Sequence, residues 1–120
     1  MVQRCHLDGI DFAKTVVDAL EEKKAENILL LDIKDISAFT DYFVIAEGSS
    51  DRMLESLSTA AMAALKKKHG LSSHTEGYAR DGWILIDAGD VVIHLFSPDQ
   101  RNYYQLEELW SQGKVLLRLQ

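Results

Sequence analysis

Two β-rich runs, Trp83–Asp87 and Val91–Phe96, flank the dipeptide Gly89-Asp90, and this pairing constrains the chain more than any other segment. Glycine at the first central position suits a type II′ hairpin turn. A two-residue loop also fixes the register: Asp87 faces Val92, Leu85 faces His94 and Trp83 faces Phe96. Ile86 then meets Ile93 and Ile84 meets Leu95. Side chains alternate between the two sides of a strand, so the hairpin has two unlike faces. One is wholly aliphatic, formed by Ile84, Ile86, Ile93 and Leu95, and must be core. The other is mixed, formed by Trp83, Leu85, Asp87, Val92, His94 and Phe96.

The remaining segments supply what covers the aliphatic face. Asp8 to Lys24 reads as a helix, with Ile10, Ala13, Val17 and Leu20 at helical spacing and Asp8 as its cap. Asn27 to Ile33 contains Ile28-Leu29-Leu30-Leu31, a continuous apolar run typical of a strand covered on both sides. A polar connector from Lys34 to Asp41 leads to a second strand, Tyr42–Ala46. Gly48-Ser49-Ser50 opens a helix that runs to about His69. Its buried stripe is expected at Met53, Leu57, Ala60, Ala61, Ala64 and Leu65, and Gly70 is its natural stop. Ser73–Glu76 can add a short strand. Ser97-Pro98-Asp99-Gln100 combines a cap, a first-position proline and a capping-box residue. It predicts one amphipathic helix through Tyr103, Leu106, Leu109 and Trp110, ended by Gly113. The apolar tail Lys114–Leu119 is expected to dock on the domain or on a second copy. The order α-β-β-α-(β)-β-β-α implies an α/β fold, a mixed sheet with packed helices, in a single domain over residues 1–120 with no linker.

Charge narrows the partners. The chain carries 19 Asp and Glu against 13 Lys and Arg, a net charge of −6. Nucleic-acid affinity comes mainly from cations that displace counterions, so no direct nucleic-acid binding is expected, and Lys66-Lys67-Lys68 reads as a solvated helix end. The acidic excess is uneven. Seven acids and two bases lie between His74 and Trp110, whereas 12 acids and 9 bases precede them. Aromatic anchors ringed by acids suit a basic protein partner. The mixed face, with Tyr78 and Glu76 beside it and Asp90 at its turn, is therefore the expected partner-binding surface. No secretory signal and no membrane-length apolar run is present, which implies a cytoplasmic protein without a membrane partner. The single cysteine, Cys5, leaves no intramolecular disulfide.

Catalytic readings find little support. Gly48-Ser49-Ser50 at a helix start could receive a phosphate, as in nucleotidyltransferases. Those enzymes also need two carboxylates one residue apart on a following strand to hold metal. Residues 57–63 hold no acid, and Asp87 and Asp90 straddle a turn. His74 and Glu76 share a strand face but make only two ligands. Asp87 and His94 are offset diagonally, so a hydrogen-bonded sheet histidine is the simpler reading. No enzyme, cofactor or metal is expected.

Five ordered segments carry a resemblance. They are Asp35-Ile36-Ser37-Ala38-Phe39-Thr40-Asp41-Tyr42-Phe43-Val44-Ile45, Gly48-Ser49-Ser50, Glu76-Gly77, Trp83 to His94, and Arg101-Asn102-Tyr103-Tyr104-Gln105-Leu106-Glu107-Glu108-Leu109-Trp110. Together, from about Asp8 to Ser111, they resemble the ribosomal silencing factor (Iojap-like) family. The resemblance implies a nucleotidyltransferase-like α/β fold without its catalytic carboxylates. It also implies binding to the large ribosomal subunit through ribosomal protein L-fourteen, which blocks joining of the small subunit and represses translation. Two alternatives stand beside it: a nucleotide-binding or nucleotidyltransferase-like enzyme, and a homodimeric protein-interaction module with another partner.

Overall fold

The computed structural model describes residues 9–119; the expected Asp8 cap and Cys5 lie outside them. One six-stranded sheet organises the chain. Helix α1 (Gly9–Glu22) precedes β1 (Glu26–Asp32) and β2 (Tyr42–Glu47). Helix α2 (Asp51–His69) leads to β3 (His74–Tyr78), a single 3-10 turn (Ala79–Asp81), β4 (Trp83–Asp87) and β5 (Val91–Phe96). Two short helices, α3 (Pro98–Tyr104) and α4 (Leu106–Leu109), and a last strand β6 (Lys114–Leu119) complete it. The strands lie in the order β3-β4-β5-β2-β1-β6. Among the described strands only β2 and β5 pair in parallel, and the chain between them is long enough to make that crossover.

The hairpin register is the expected one. Trp83 faces Phe96, Leu85 faces His94 and Asp87 faces Val92. Gly89 carries the positive φ, 83°, that the turn asks of its first central residue. The aliphatic side is core: Ile86, Ile93 and Leu95 are fully buried, and Ile84 nearly so. They join Val16 and Leu20 of α1, Leu57 and Leu65 of α2, and Ile28 and Leu30 of β1 in one cluster. Leu29 and Leu31 point the other way, into a second cluster with Ile33, Phe43, Ile45 and Phe96. The apolar run of β1 thus serves both sides, as its continuity requires.

Helix α2 begins and ends at the expected residues. The Ser50 hydroxyl accepts from the Met53 amide at 3.1 Å, and Gly70 closes the helix in the left-handed region. Its buried stripe is shifted from the expected one. Leu54 and Ser58 are buried, whereas Met53, Ala60 and Ala64 are only partly so. Helix α1 ends at Glu22, and Lys24 turns the chain at φ 66°, so Lys23 and Lys24 lie past the end of a helix expected to reach Lys24.

One C-terminal expectation changes, and the tail docks on the domain as expected. The single helix from Ser97 to Gly113 is broken at Gln105, which adopts φ 47°, ψ 49° and donates its amide to the Arg101 carbonyl at 2.9 Å. The break re-aims the chain so that Leu106 and Trp110 pack on the second cluster, with Trp110 edge-on to Phe43 at 5.1 Å. The tail is a sheet strand. It runs antiparallel to β1, with Leu30 opposite Leu117 and Asp32 opposite Lys114.

Candidate partner-binding face

Strand β3 extends the mixed side of the hairpin. His74 stands opposite Asp87, Glu76 opposite Leu85 and Tyr78 opposite Trp83. Glu76, Tyr78, Trp83, Leu85, Asp87, Val92, His94 and Phe96 therefore share one face of three adjacent strands. Asp90 is at the turn, where its carbonyl accepts the amides of Asp41 and Tyr42, each at 3.0 Å. Gly77 lets β3 and β4 approach. It sits at φ 88°, and a Cβ there would strike the Trp83 carbonyl oxygen.

The residues of this face divide by depth. Phe96 is fully buried and His94 is 4% exposed, so neither can touch a partner; both leave the expected contact set. They form a floor beneath Trp83 because α3, α4 and Trp110 cover this end of the sheet. Trp83 lies half-buried on that floor, with its ring centroid 5.0 Å from that of Phe96 and 4.6 Å from that of Tyr104. Its indole N–H donates to His94 Nδ1 at 3.3 Å. That bond fixes the imidazole proton on Nε2, which has no hydrogen-bond partner. Burial pushes the His94 pKa down to about 4, so the ring is neutral at physiological pH.

Above the floor lies an open recess lined by Glu76, Gly77, Asp81, Trp83, Leu85 and Tyr104. Tyr78 is 60% and Tyr104 43% exposed at its rim. The Arg80 guanidinium sits 4.5 Å from the Tyr78 ring centre and is the cation on this edge. Asp87 is exposed, and one of its oxygens accepts the Gly89 amide at 2.9 Å. Sequence reasoning missed Tyr104 and Asp81. Tyr104 is the last residue of α3, one position beyond the expected stripe residue Tyr103.

Arg101 was also missed as a structural centre. Its side chain is buried and bridges Glu47 of β2 at 3.2 Å and Glu107 of α4 at 3.1 Å. It also donates to the Asn27 carbonyl of β1. Asn27 in turn donates to Glu47 at 3.2 Å. This network ties α3 and α4 to the sheet and so holds Tyr104 over Trp83.

The other candidate residues have structural surroundings of their own. Gly48 is buried, and a Cβ there would lie 3.0–3.2 Å from side-chain atoms of Leu54, Met53 and Leu57. Its glycine serves close packing of α2 on the sheet. Asp87 and His94 do not pair. Among the described residues, no group of three His, Cys, Asp or Glu side chains could hold a metal ion. No described helix is long and apolar enough to cross a membrane.

The comparisons with known proteins bear on the family and the fold. Residues 7–119 match the family described as ribosomal silencing factor during starvation. The chain belongs to the ribosomal silencing factor family. The Bacillus subtilis ribosomal silencing factor is 38% identical over 102 residues, covering 85% of this chain and 86% of that one. A crystal structure of a Chromobacterium violaceum protein superposes with a TM-score of 0.81 at 33% identity, covering 85% of each chain. The mouse protein named mitochondrial assembly of ribosomal large subunit protein 1 is 33% identical, over 80% of this chain and 43% of its own length. The mixed α/β sheet with packed helices is thus the fold of a silencing factor, and its bacterial relatives carry the name ribosomal silencing factor.

Proposed function

We propose that this silencing factor binds the large ribosomal subunit with its Trp83 face, through ribosomal protein L-fourteen, and so keeps the small subunit from joining. The observation that carries the reading is the partly exposed Trp83, with Tyr78 and Tyr104 beside it and Glu76 and Asp81 around the recess. Aromatic anchors on a packed floor are what interfaces use for affinity. Carboxylates around them favour a cationic protein and disfavour bare RNA. The name of the mouse relative, with its reference to the large subunit, supports the same choice of subunit. The mechanism is steric occlusion in the cytoplasm: factor and small subunit compete for one surface, so inhibition rises with the concentration of free factor. No bond is made or broken, and no catalytic residue is invoked.

Truncating Trp83 tests the surface. Trp83→Ala should weaken binding to purified large subunits by about 2 kcal/mol, roughly 30-fold, and Glu76→Lys should weaken it by slowing association. Unchanged co-sedimentation of both folded variants would contradict the proposed surface.

Self-association is a second element of the reading. Strand β6 is an edge of the sheet, and its Val115 and Leu116 are 52% and 45% exposed. An uncovered apolar edge supports pairing with a second copy. Mass measured in solution over a range of concentrations should show a dimer; a monomer throughout would contradict it.

A further inference from the structure

Among the described residues, Phe39 is the most exposed large apolar side chain, at 91%, with Ile36 at 40% in the same connector between β1 and β2. An aromatic ring held in water gains from being covered. The connector does not let it fold back. The Ser37 hydroxyl accepts the amides of Phe39 at 3.1 Å and Thr40 at 3.3 Å. The amides of Ile36 and Ser37 both donate to the Ile33 carbonyl, at 3.1 and 2.9 Å, and Ile33 donates to the Asp41 carbonyl at 2.9 Å. Phe39 is therefore presented on a hydrogen-bonded loop, and little ordering entropy would be lost on binding.

The surroundings specify the partner. The connector meets the hairpin turn, since Asp41 and Tyr42 donate to the Asp90 carbonyl. This end of the sheet carries Asp32, Asp35, Asp41, Asp87 and Asp90. Among the described residues, Lys34 and Lys114 stand against them. Lys34 is engaged by the Tyr42 hydroxyl at 3.0 Å and lies 3.9 Å from Asp32, and Lys114 stands opposite Asp32 on β6. The excess of carboxylates repels a phosphate backbone. A two-fold contact with a second copy would bring the same carboxylates together. A lysine- or arginine-rich protein surface with an apolar slot satisfies both the ring and the charge.

We propose that Phe39 is a second anchor, inserted into a basic protein surface of the large subunit at the Asp87 end of β4, apart from the Trp83 recess at the other end. The proposal rests on the large-subunit reading above. The two ends of the five-residue β4 lie about 15 Å apart, a separation that one standard interface spans, and the proposal places both anchors on one partner.

Titration of purified large subunits with wild type, Phe39→Ala, Phe39→Leu and Trp83→Ala tests it. Phe39→Ala should keep the wild-type unfolding midpoint, because the side chain is exposed, yet bind about tenfold more weakly, and Phe39→Leu should retain most of the affinity. A photo-crosslinking phenylalanine analogue at position 39 should attach to a lysine- or arginine-rich protein of the subunit. Wild-type affinity in Phe39→Ala with weakened Trp83→Ala would overturn the second anchor and leave the Trp83 face standing. Crosslinks to RNA or to a second copy would also overturn it. Failure of the wild type to bind large subunits would overturn both.

Discussion

Arg101→Met is expected to destabilise the protein by about 3–5 kcal/mol, because it removes the cation from a buried network and leaves its carboxylates behind. Glu47 and Glu107 converge on the guanidinium at 3.2 and 3.1 Å, with the Arg101 side chain only 8% exposed and that of Glu47 13%. Without the guanidinium, the Glu47 and Glu107 carboxylates, 13% and 30% exposed, lose the cation they share, and the Asn27 carbonyl loses its donor. Against a typical total of roughly 5–15 kcal/mol, that loss is a large fraction of the stability. Urea titration should show a large drop in midpoint. Adding Glu47→Gln to Arg101→Met should restore part of the loss, as coupling between contacting residues requires. A midpoint shift worth less than about 1 kcal/mol would mean that the network is not a structural centre.

That network was not legible in the sequence, and the reason is physical. Asn27, Glu47, Arg101 and Glu107 belong to four elements and meet only once β1, β2 and the last helices are assembled. Arg101 read as one more residue of an acidic segment. The hairpin was legible because period-two alternation and a two-residue loop fix every cross-strand pair locally. Strand β6 escaped because Val115-Leu116-Leu117 has no alternation and nothing nearby announces its partner, β1. The break at Gln105 escaped because a left-handed glutamine leaves no turn signature of the kind glycine or asparagine gives. The candidate face was legible as a face but not in depth. His94 and Phe96 were read with Trp83 and Leu85 from alternation alone, and only the packing of α3, α4 and Trp110 shows that they are its floor.

His94 carries the second large expectation. Its ring is buried and neutral, with a pKa near 4 against an ordinary value of 6.5. Protonation would charge a desolvated ring and place a hydrogen on the nitrogen that accepts from Trp83. Between pH 6.5 and 4 the unfolded chain therefore binds a proton that the folded chain does not. Stability contributed by the neutral ring is complete above pH 6.5 and falls with falling pH by up to ~1.4 kcal/mol per unit. The loss stops growing below about pH 4 and totals roughly 3 kcal/mol. Gln at this position can still accept from the indole but does not titrate in this range. The difference between wild-type and His94→Gln unfolding free energies should thus tilt across this window and be flat above pH 7. A difference that stays constant from pH 7 to pH 4 would show that His94 is hydrated in the folded state.

The floor and the network bear on function through Trp83. His94 and Phe96 support its ring from below, and Arg101 anchors the helices that bring Tyr104 against it. A steric regulator needs no more than a rigid surface with enough affinity to exclude a competitor. The most direct measurement is light scattering of purified large and small subunits mixed with increasing amounts of the factor. The account predicts a dose-dependent fall in joined ribosomes, reversed by excess small subunits and requiring about 30-fold more Trp83→Ala than wild type. Undiminished joining at saturating factor, or wild-type potency in Trp83→Ala, would contradict it.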